Sequence, residues 1–307
     1  MASGTISTGS LPRLLQDGVA NVFGNSLKEH DKKWDKMFSM NSSSKNFEVD
    51  VQLEGFNRAT SKNEGDDITF DSRQQGFTPK YQHTTFAKGY IVTEEALEDE
   101  LYGQLNDGAR ALARSMNITK EIEGAAIYNN GFDGTALMTD GDGVALFSTA
   151  HPNGPSGGTY SNRLTIDADL SEAALEDMLI QVQTITDARG LQAALQAQRL
   201  IVAPANSFEA QRILGSVLQN DTGNNATNAV RDMNSVRDGF MSNPFLTDAD
   251  AWFLTTDAPQ GLKYWTRRAV RFGQDNAFTS GNARFKADER YVFGWTDARG
   301  AFGTPGS

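Results

Sequence analysis

Cysteine is absent from the 307 residues, which excludes disulfides, thiolate-bound zinc, iron–sulfur clusters and thiol nucleophiles and agrees with a reducing compartment. Histidine is scarce, with only His30, His83 and His151, too few for a His-rich metal site or most His-based catalysis. No apolar run approaches the roughly 18 to 20 residues of a membrane helix. Residues 1–18 also lack the basic start and apolar middle of a signal peptide, so a soluble intracellular chain is expected, with no membrane partner. There is no Walker A sequence, no complete G-x-G-x-x-G after a strand, no G-x-S-x-G and no H-E-x-x-H. Basic residues are outnumbered by acidic ones, 28 to 39, for a net charge of −11. That balance argues against an electrostatic nucleic-acid binder. No cofactor and no bound metal are expected.

What is present divides by pattern. Residues 1–45 start small and polar and continue with irregularly spaced apolar residues; Leu11, Leu14, Leu15 and Val19 predict one or two helical turns. Trp34, Met37 and Phe38 are large apolar residues among charges, which fits an arm packed on a neighbour or a segment tucked onto its own domain. From Asn46 to Tyr90 come short strand-like runs between polar loops. Phe47, Val49, Val51 and Leu53 alternate with Glu48, Asp50, Gln52 and Glu54, the period of a half-exposed strand whose carboxylate face meets water or a basic partner. With so few apolar residues the segment reads as a long two-stranded hairpin, marginally stable alone.

Leu97, Leu101, Leu105, Ala109, Leu112 and Met116 then form one helical stripe behind a Thr93 N-cap, predicting a helix to about Asn130 that Gly103, Gly108 and Gly124 weaken. Residues 131–161 read as loops with a short strand at Val144–Phe147. A helix is expected from Ser171 to about Arg189, a strand at RLIVA (199–203), a helix from Ser207 to about Leu218, a polar surface loop over 223–238, and β structure from Ala251 on.

Three clusters carry weak chemical signals. Asp140 and Asp142 suit a calcium ligand type, but their spacing completes no EF-hand loop and a Gly/Asp turn is the simpler reading. Ser148, His151 and Asp167 supply the residue types of a hydrolytic triad without a nucleophile-elbow signature, so a structural role is assigned to His151. Arg267, Arg268 and Arg271 interleave with Tyr264, Trp265 and Phe272; nucleic-acid stacking is open to them, and intersubunit ion pairs or cation–π contacts suit the net acidity better.

Three strings occur in a telling order: LFSTAHPNGPSGGTYSN (146–162), RLIVAPANSFEAQRIL (199–214) and ERYVFGWTDARGAFGTPG (289–306). Together with the leading segment, hairpin and long helix, they make the chain resemble the major capsid proteins of tailed bacteriophages, of the Hong Kong 97 type, and in particular their Mu-like major head subunits. The resemblance implies an α+β fold with 1–45 as an N-terminal arm and 46–92 as an extended loop with flanking strands. It further implies 93–130 and 247–307 as a peripheral domain with a spine helix, and 131–246 as an axial domain.

It also implies a non-enzymatic major head protein forming pentamers and hexamers, an icosahedral shell around double-stranded DNA that is not bound sequence-specifically, assembled in the bacterial cytoplasm and carried in the virion. Separate scaffolding and portal proteins, and decoration proteins, are the implied partners. Trp34, Phe38, Phe47, Phe56, Phe70, Phe77, Arg267, Arg268 and Arg271 are the expected intersubunit contacts. The alternatives are an encapsulin-like compartment of the same fold and a soluble hydrolase using Ser148 and His151. No residue matches the Lys–Asn pair that crosslinks some relatives, and no long scaffolding helix leads the sequence.

Overall fold

A computed structural model describes residues 12–93, 95–96, 102–154, 157–219, 226–277, 279 and 281–307. Their helices are α1 (Pro12–Glu29), α2 (Tyr102–Asn129), α3 (Glu172–Thr184), α4 (Ser207–Gly215) and α5 (Ala229–Asp232). The strands are β1 (Ser39–Ser42), β2 (Phe47–Val49), β3 (Lys80–Gln82), β4 (Thr84–Val92), β5 (His151–Pro152), β6 (Thr159–Tyr160) and β7 (Ala197–Val202), then β8 (Phe240–Ser242), β9 (Trp252–Thr256), β10 (Leu262–Asn276), β11 (Ala283–Trp295) and β12 (Ala301–Thr304). They belong to two compact units, one of Met1–Lys33, His83–Ile122 and Thr266–Tyr291, the other of Trp34–Gln82, Glu123–Trp265 and Val292–Ser307.

The first unit packs two helices on one face of a sheet in which β11 lies between β10 and β4. β11 and β4 run antiparallel from Ala283 opposite Val92 to Tyr291 opposite Thr84. Alternate β11 residues Ala283, Phe285 and Ala287 are buried with Val19 and Phe23 of α1 and Ala109, Leu112, Ala113 and Met116 of α2. Phe285 stacks on Tyr90 with centroids 4.8 Å apart, and Phe23 meets Phe272 at 4.9 Å.

The part of the predicted stripe whose side chains are described, Ala109, Leu112 and Met116, is therefore on the buried face, and fully buried Ala109 and Ala113 keep that side of the helix slim. Thr93 caps as expected, accepting from the Ala96 N–H at 3.3 Å. Glu94 and 97–101, including Leu97 and Leu101, lie outside the described residues. The 28 residues of α2 span about 42 Å. Gly108 is explained by close approach: a Tyr90 ring carbon sits 2.9 Å from where its Cβ would be. Helix α1, 18 residues long, exceeds the one or two turns expected, because Val19 and Phe23 gain a face only by meeting β11, which sequence spacing does not reveal. Two buried carboxylates have partners. Glu289 pairs with Lys120, burial pushing its carboxyl up while Lys120 pulls it back, and Glu121 accepts from the Lys33 N–H at 2.8 Å.

In the second unit a sheet of order β12-β9-β7-β8 has β7 antiparallel to β9 and parallel to β8. Leu200, Ile201 and Val202 of β7 are all fully buried, so both faces of that strand are covered. Helix α3 buries Leu175, Met178 and Val182 and is capped by Ser171, whose Oγ accepts from the Ala174 N–H at 3.2 Å. It ends at Thr184, short of Arg189, because Ile185 leaves the helical region at ψ 140.

Two loop readings are corrected. Val144–Phe147 is not a strand; Leu146 and Phe147 are buried in a turn-rich loop that hangs on the Phe147 N–H to Gly131 carbonyl bond. The described part of 223–238 is not a polar surface loop either. It contains α5, capped by buried Asn228, with Val230 and Val236 packed inside.

Trp34 and Phe38 sit in the same unit's aromatic core. Trp34 lies 4.6 Å from Tyr264 and 5.8 Å from Phe293, and Phe38 lies 4.8 Å from Phe293 and 5.9 Å from Tyr128. Each is 6% exposed, so neither waits for a neighbour as an arm residue would. Trp34 also crosses α2 at Gly124, where its Cβ lies 3.1 Å from the position a glycine substituent would take. Trp34→Ala is accordingly expected to cost the isolated subunit about 3–5 kcal/mol, read as a lower denaturation midpoint before any assembly. An unchanged midpoint would place the indole outside the core.

Candidate assembly surface

The hairpin between Phe47 and Gln82 changes character along its length. At its base β2 and β3 pair Phe47 with Gln82 and Val49 with Lys80, and irregular backbone bonds continue to the Glu54 N–H, which donates to Gln74 O at 3.0 Å. Farther out, side chains hold the two limbs. Asp71 Oδ2 accepts from the Asn57 N–H at 2.7 Å and its Nδ2 at 2.9 Å, and Thr60 and Thr69 share a bond of 3.1 Å. The Asn57 backbone N–H holds the Asp71 carboxyl below the usual carboxylate range. Gly65, at φ 88, permits the closing turn, in which the Asp66 N–H meets Asn63 O at 3.2 Å.

Buried charge fixes the base. Asp50 pairs with Lys263 and accepts from Thr296, whose Oγ1 lies 2.7 Å from the Tyr81 hydroxyl. Glu54, 5% exposed, meets Arg189 at 3.4 Å; Arg189 also donates to Ser72 O at 2.8 Å, and Arg73 to Glu54 O at 3.2 Å. The carboxylate face of the strand thus has basic partners within its own chain. The apolar residues are left outside: Phe47, Val49, Leu53 and Phe56 are about half exposed, Ile68 is exposed and Phe70 is 89% exposed. Such a patch on a thin projection marks a surface for another molecule. Phe77 is half-buried near the base.

The other expected contacts divide. Arg268 and Arg271 both pair with buried Asp288, the latter at 2.8 Å. Burial opposes ionisation of Asp288, and the two guanidiniums outweigh it, holding the carboxyl below its usual range. Arg267 is exposed. Trp34 and Phe38 leave the set of candidate contacts because their rings are already buried.

The hydrolytic residues do not assemble. Asp167 is bound by Arg163, Nε to Oδ1 at 2.8 Å, which holds its carboxyl low, and the Ser148 hydroxyl accepts from the Ala150 N–H at 3.2 Å. Fully buried His151 turns Nδ1 to Asp142 at 2.6 Å and Nε2 to Leu146 O at 3.2 Å and Asn162 Oδ1 at 3.1 Å. Asn162 is fixed in orientation, its Nδ2 donating to the carbonyls of Leu146, Ala298 and Ala301 and its Oδ1 accepting from the Ser148 N–H. Both imidazole nitrogens therefore face acceptors, and the ring stacks on Tyr160 at 5.0 Å. This is a buried polar network tying three loops together. Asp142 serves it, while Asp140 is exposed at φ 58. Among the described residues no cluster suited to a metal occurs, and no helix is long and apolar enough to cross a membrane.

The family model for phage capsid proteins matches residues 77–303. The chain belongs to that family. Its fold is of the Hong Kong 97 type, as its likeness to solved capsid structures shows. A virus-like particle from Pyrococcus furiosus aligns with a TM-score of 0.52 at 10% identity, covering 94% of this chain and 98% of that one. The capsid chain of Mycobacterium phage Adephagia gives 0.52 at 14%, covering 92% and 91%. The procapsid of bacteriophage JBD30 gives 0.51 at 14%, covering 97% and 76%. Among proteins of curated function the sequence matches none. The Mu-like group is not singled out by these likenesses.

For this capsid-family chain, what sequence reading missed are the pairings of Asp50 with Lys263 and of Glu54 with Arg189, which set the hairpin's base. The only signal for them was the acidic alternation of the strand. His151→Ala is expected to destabilise the subunit by on the order of 3 kcal/mol, since it leaves Asp142 Oδ2 without its imidazole partner and opens a cavity beside Tyr160, whereas Ser148→Ala should change stability little. Thermal denaturation of both variants checks this; equal midpoints would contradict the network.

Proposed function

We propose that the chain is the major head protein of a tailed bacteriophage, assembling as pentamers and hexamers into an icosahedral shell around double-stranded DNA, and that it belongs to the Mu-like group. The observation that carries this reading is the hairpin, anchored by ion pairs at its base and presenting Phe56, Ile68 and Phe70 beyond any core of its own chain. Burial by an adjacent copy would remove that apolar surface from water. The first unit, with α2, would serve as the peripheral domain and the β7–β9 sheet region as part of the axial domain.

An acidic chain suits a wall that encloses DNA without gripping it. Scaffolding, portal and decoration functions would fall to other proteins, assembly would take place in the bacterial cytoplasm, and no catalysis is assigned. The family match favours a phage head over an encapsulin-like compartment.

Electron microscopy of the purified protein under assembly conditions should show closed shells. Replacing both Phe56 and Phe70 by Ala should leave the subunit's denaturation midpoint unchanged and raise the concentration needed for assembly at least tenfold. Normal assembly of that variant would remove the hairpin from the contact, and dispersed subunits at every concentration of the unaltered protein would reject the shell reading.

A further inference from the structure

In the second unit an open cavity of about 430 Å³ is lined by the C-terminal half of α3, by residues 194–197 at the start of β7 and by the turn that follows α5. Its floor is hydrocarbon. Leu179 and Val182 come from α3 and Leu195 from the approach to β7, and all three are buried. Met233, 74% exposed, stands at the rim. The polar lining consists of Gln183, Gln196, Asn234, Ser235 and Arg237. Among the described residues no carboxylate lines the cavity, although the chain holds 39 acids. Arg237 is exposed and makes no ion pair among the described residues.

The walls are held by the subunit itself. The Arg237 N–H donates to Ala197 O at 3.3 Å and the Asp238 N–H to Gln198 O at 2.7 Å, and the Asp238 carboxylate is engaged by Arg199 at 3.0 Å. Ala194 and Asn234, both in the lining, take φ 51 and 49, two of the three non-glycine residues in the left-handed region among the described residues. Asn enters that region more readily than Ala, whose Cβ is strained there, and strained backbone gathers where it is shaped for a ligand. The main chain along the cavity is already committed. The Gln196 N–H donates to Asp257 Oδ1 at 2.8 Å, and Gln196 O accepts from the Asp257 N–H at 3.1 Å. A bound peptide would therefore find no strand edge to pair with there.

We propose that this cavity binds a free aliphatic carboxylate of fatty-acid type, its hydrocarbon chain lying on Leu179, Val182 and Leu195 and its carboxylate held by Arg237, with the Asn234 amide and the Ser235 hydroxyl as further donors. A preformed concave site with an apolar floor and a few convergent polar groups is the general form of a small-molecule site. The guanidinium fork matches a carboxylate with two parallel bonds. One cation balances one negative charge, whereas a phosphate carries more than a lone arginine offsets. A cationic ligand would meet Arg237 with no acid to receive it, and a sugar would leave the hydrocarbon floor unused. The site belongs to the single subunit and does not depend on the shell reading.

Octanoate is the probe. Titrated onto dispersed subunits, it should bind saturably by calorimetry and raise the denaturation midpoint, while octanol, which lacks the charge, and acetate, which lacks the chain, should each bind at least tenfold more weakly. Arg237→Gln should keep the midpoint of the unliganded subunit, weaken octanoate at least tenfold and leave octanol unchanged. Nuclear Overhauser contacts should join the octanoate methylenes to the methyl groups of Leu179, Val182 and Leu195. Absence of saturable binding, binding that Arg237→Gln leaves intact, or a ligand that touches none of those methyl groups would overturn the site. A short peptide ending in leucine that binds more tightly than octanoate would overturn it in favour of a chain terminus. Octanoate bound by dispersed subunits and excluded from assembled particles would overturn it in favour of a contact between copies.

Discussion

A two-stranded projection has no interior, and everything about residues 46–82 follows from that geometry. Its strands bury nothing between them, so their apolar side chains are dry only when a second surface covers them. Within the chain the geometry is answered at one end alone. Asp50 and Glu54 enter partly dry surroundings beside Lys263 and Arg189, where removing one partner would leave a charge uncompensated. Beyond Glu54 the hairpin has side-chain cross-links and water. The result is a projection fixed at its base, with Ile68 and Phe70 exposed toward its tip.

The two compact units meet their own requirements by ordinary packing. In the first, small residues on α2 and β11 bring helix and sheet close around Phe285 and Phe23. In the second, the buried β7 strand and an aromatic cluster form the core, and the Asn162–His151–Asp142 network holds loops that lack regular structure. Apart from Tyr81 at its base, which is fully buried, neither core draws on the hairpin's large apolar residues. On the proposed reading the subunit folds before it assembles, and the assembly energy would be concentrated on residues whose loss leaves the fold alone.

Local patterns were legible in the sequence and distant pairings were not. The α2 stripe, the helix beginning near Ser171 and the β7 strand follow from spacing and residue type, which report on neighbours within a few turns or strand residues. The exposure of Phe56 and Phe70 was legible too, because no apolar partners flank them. Trp34 and Phe38 looked similar, being large rings among charges, yet their partners Tyr264 and Phe293 lie more than two hundred residues away. Asp50 is likewise more than two hundred residues from Lys263, and Glu54 more than one hundred from Arg189. Alternation showed that the strand had a charged face without showing which cations would meet it. The Val144–Phe147 segment failed for a different reason: a short apolar run fits a buried loop as well as a strand, and hydrogen bonding to Gly131 decided it.

The central claim, a hairpin held at its base by its own chain and completed at its tip by another, is tested most directly by amide hydrogen exchange on unassembled subunits and on assembled particles. The account predicts that amides of 48–54 and 76–82 are protected in both, while those of 55–75 exchange freely in the subunit and become protected on assembly. Protection of 55–75 already present in the dispersed subunit, or its absence in the particle, would contradict it.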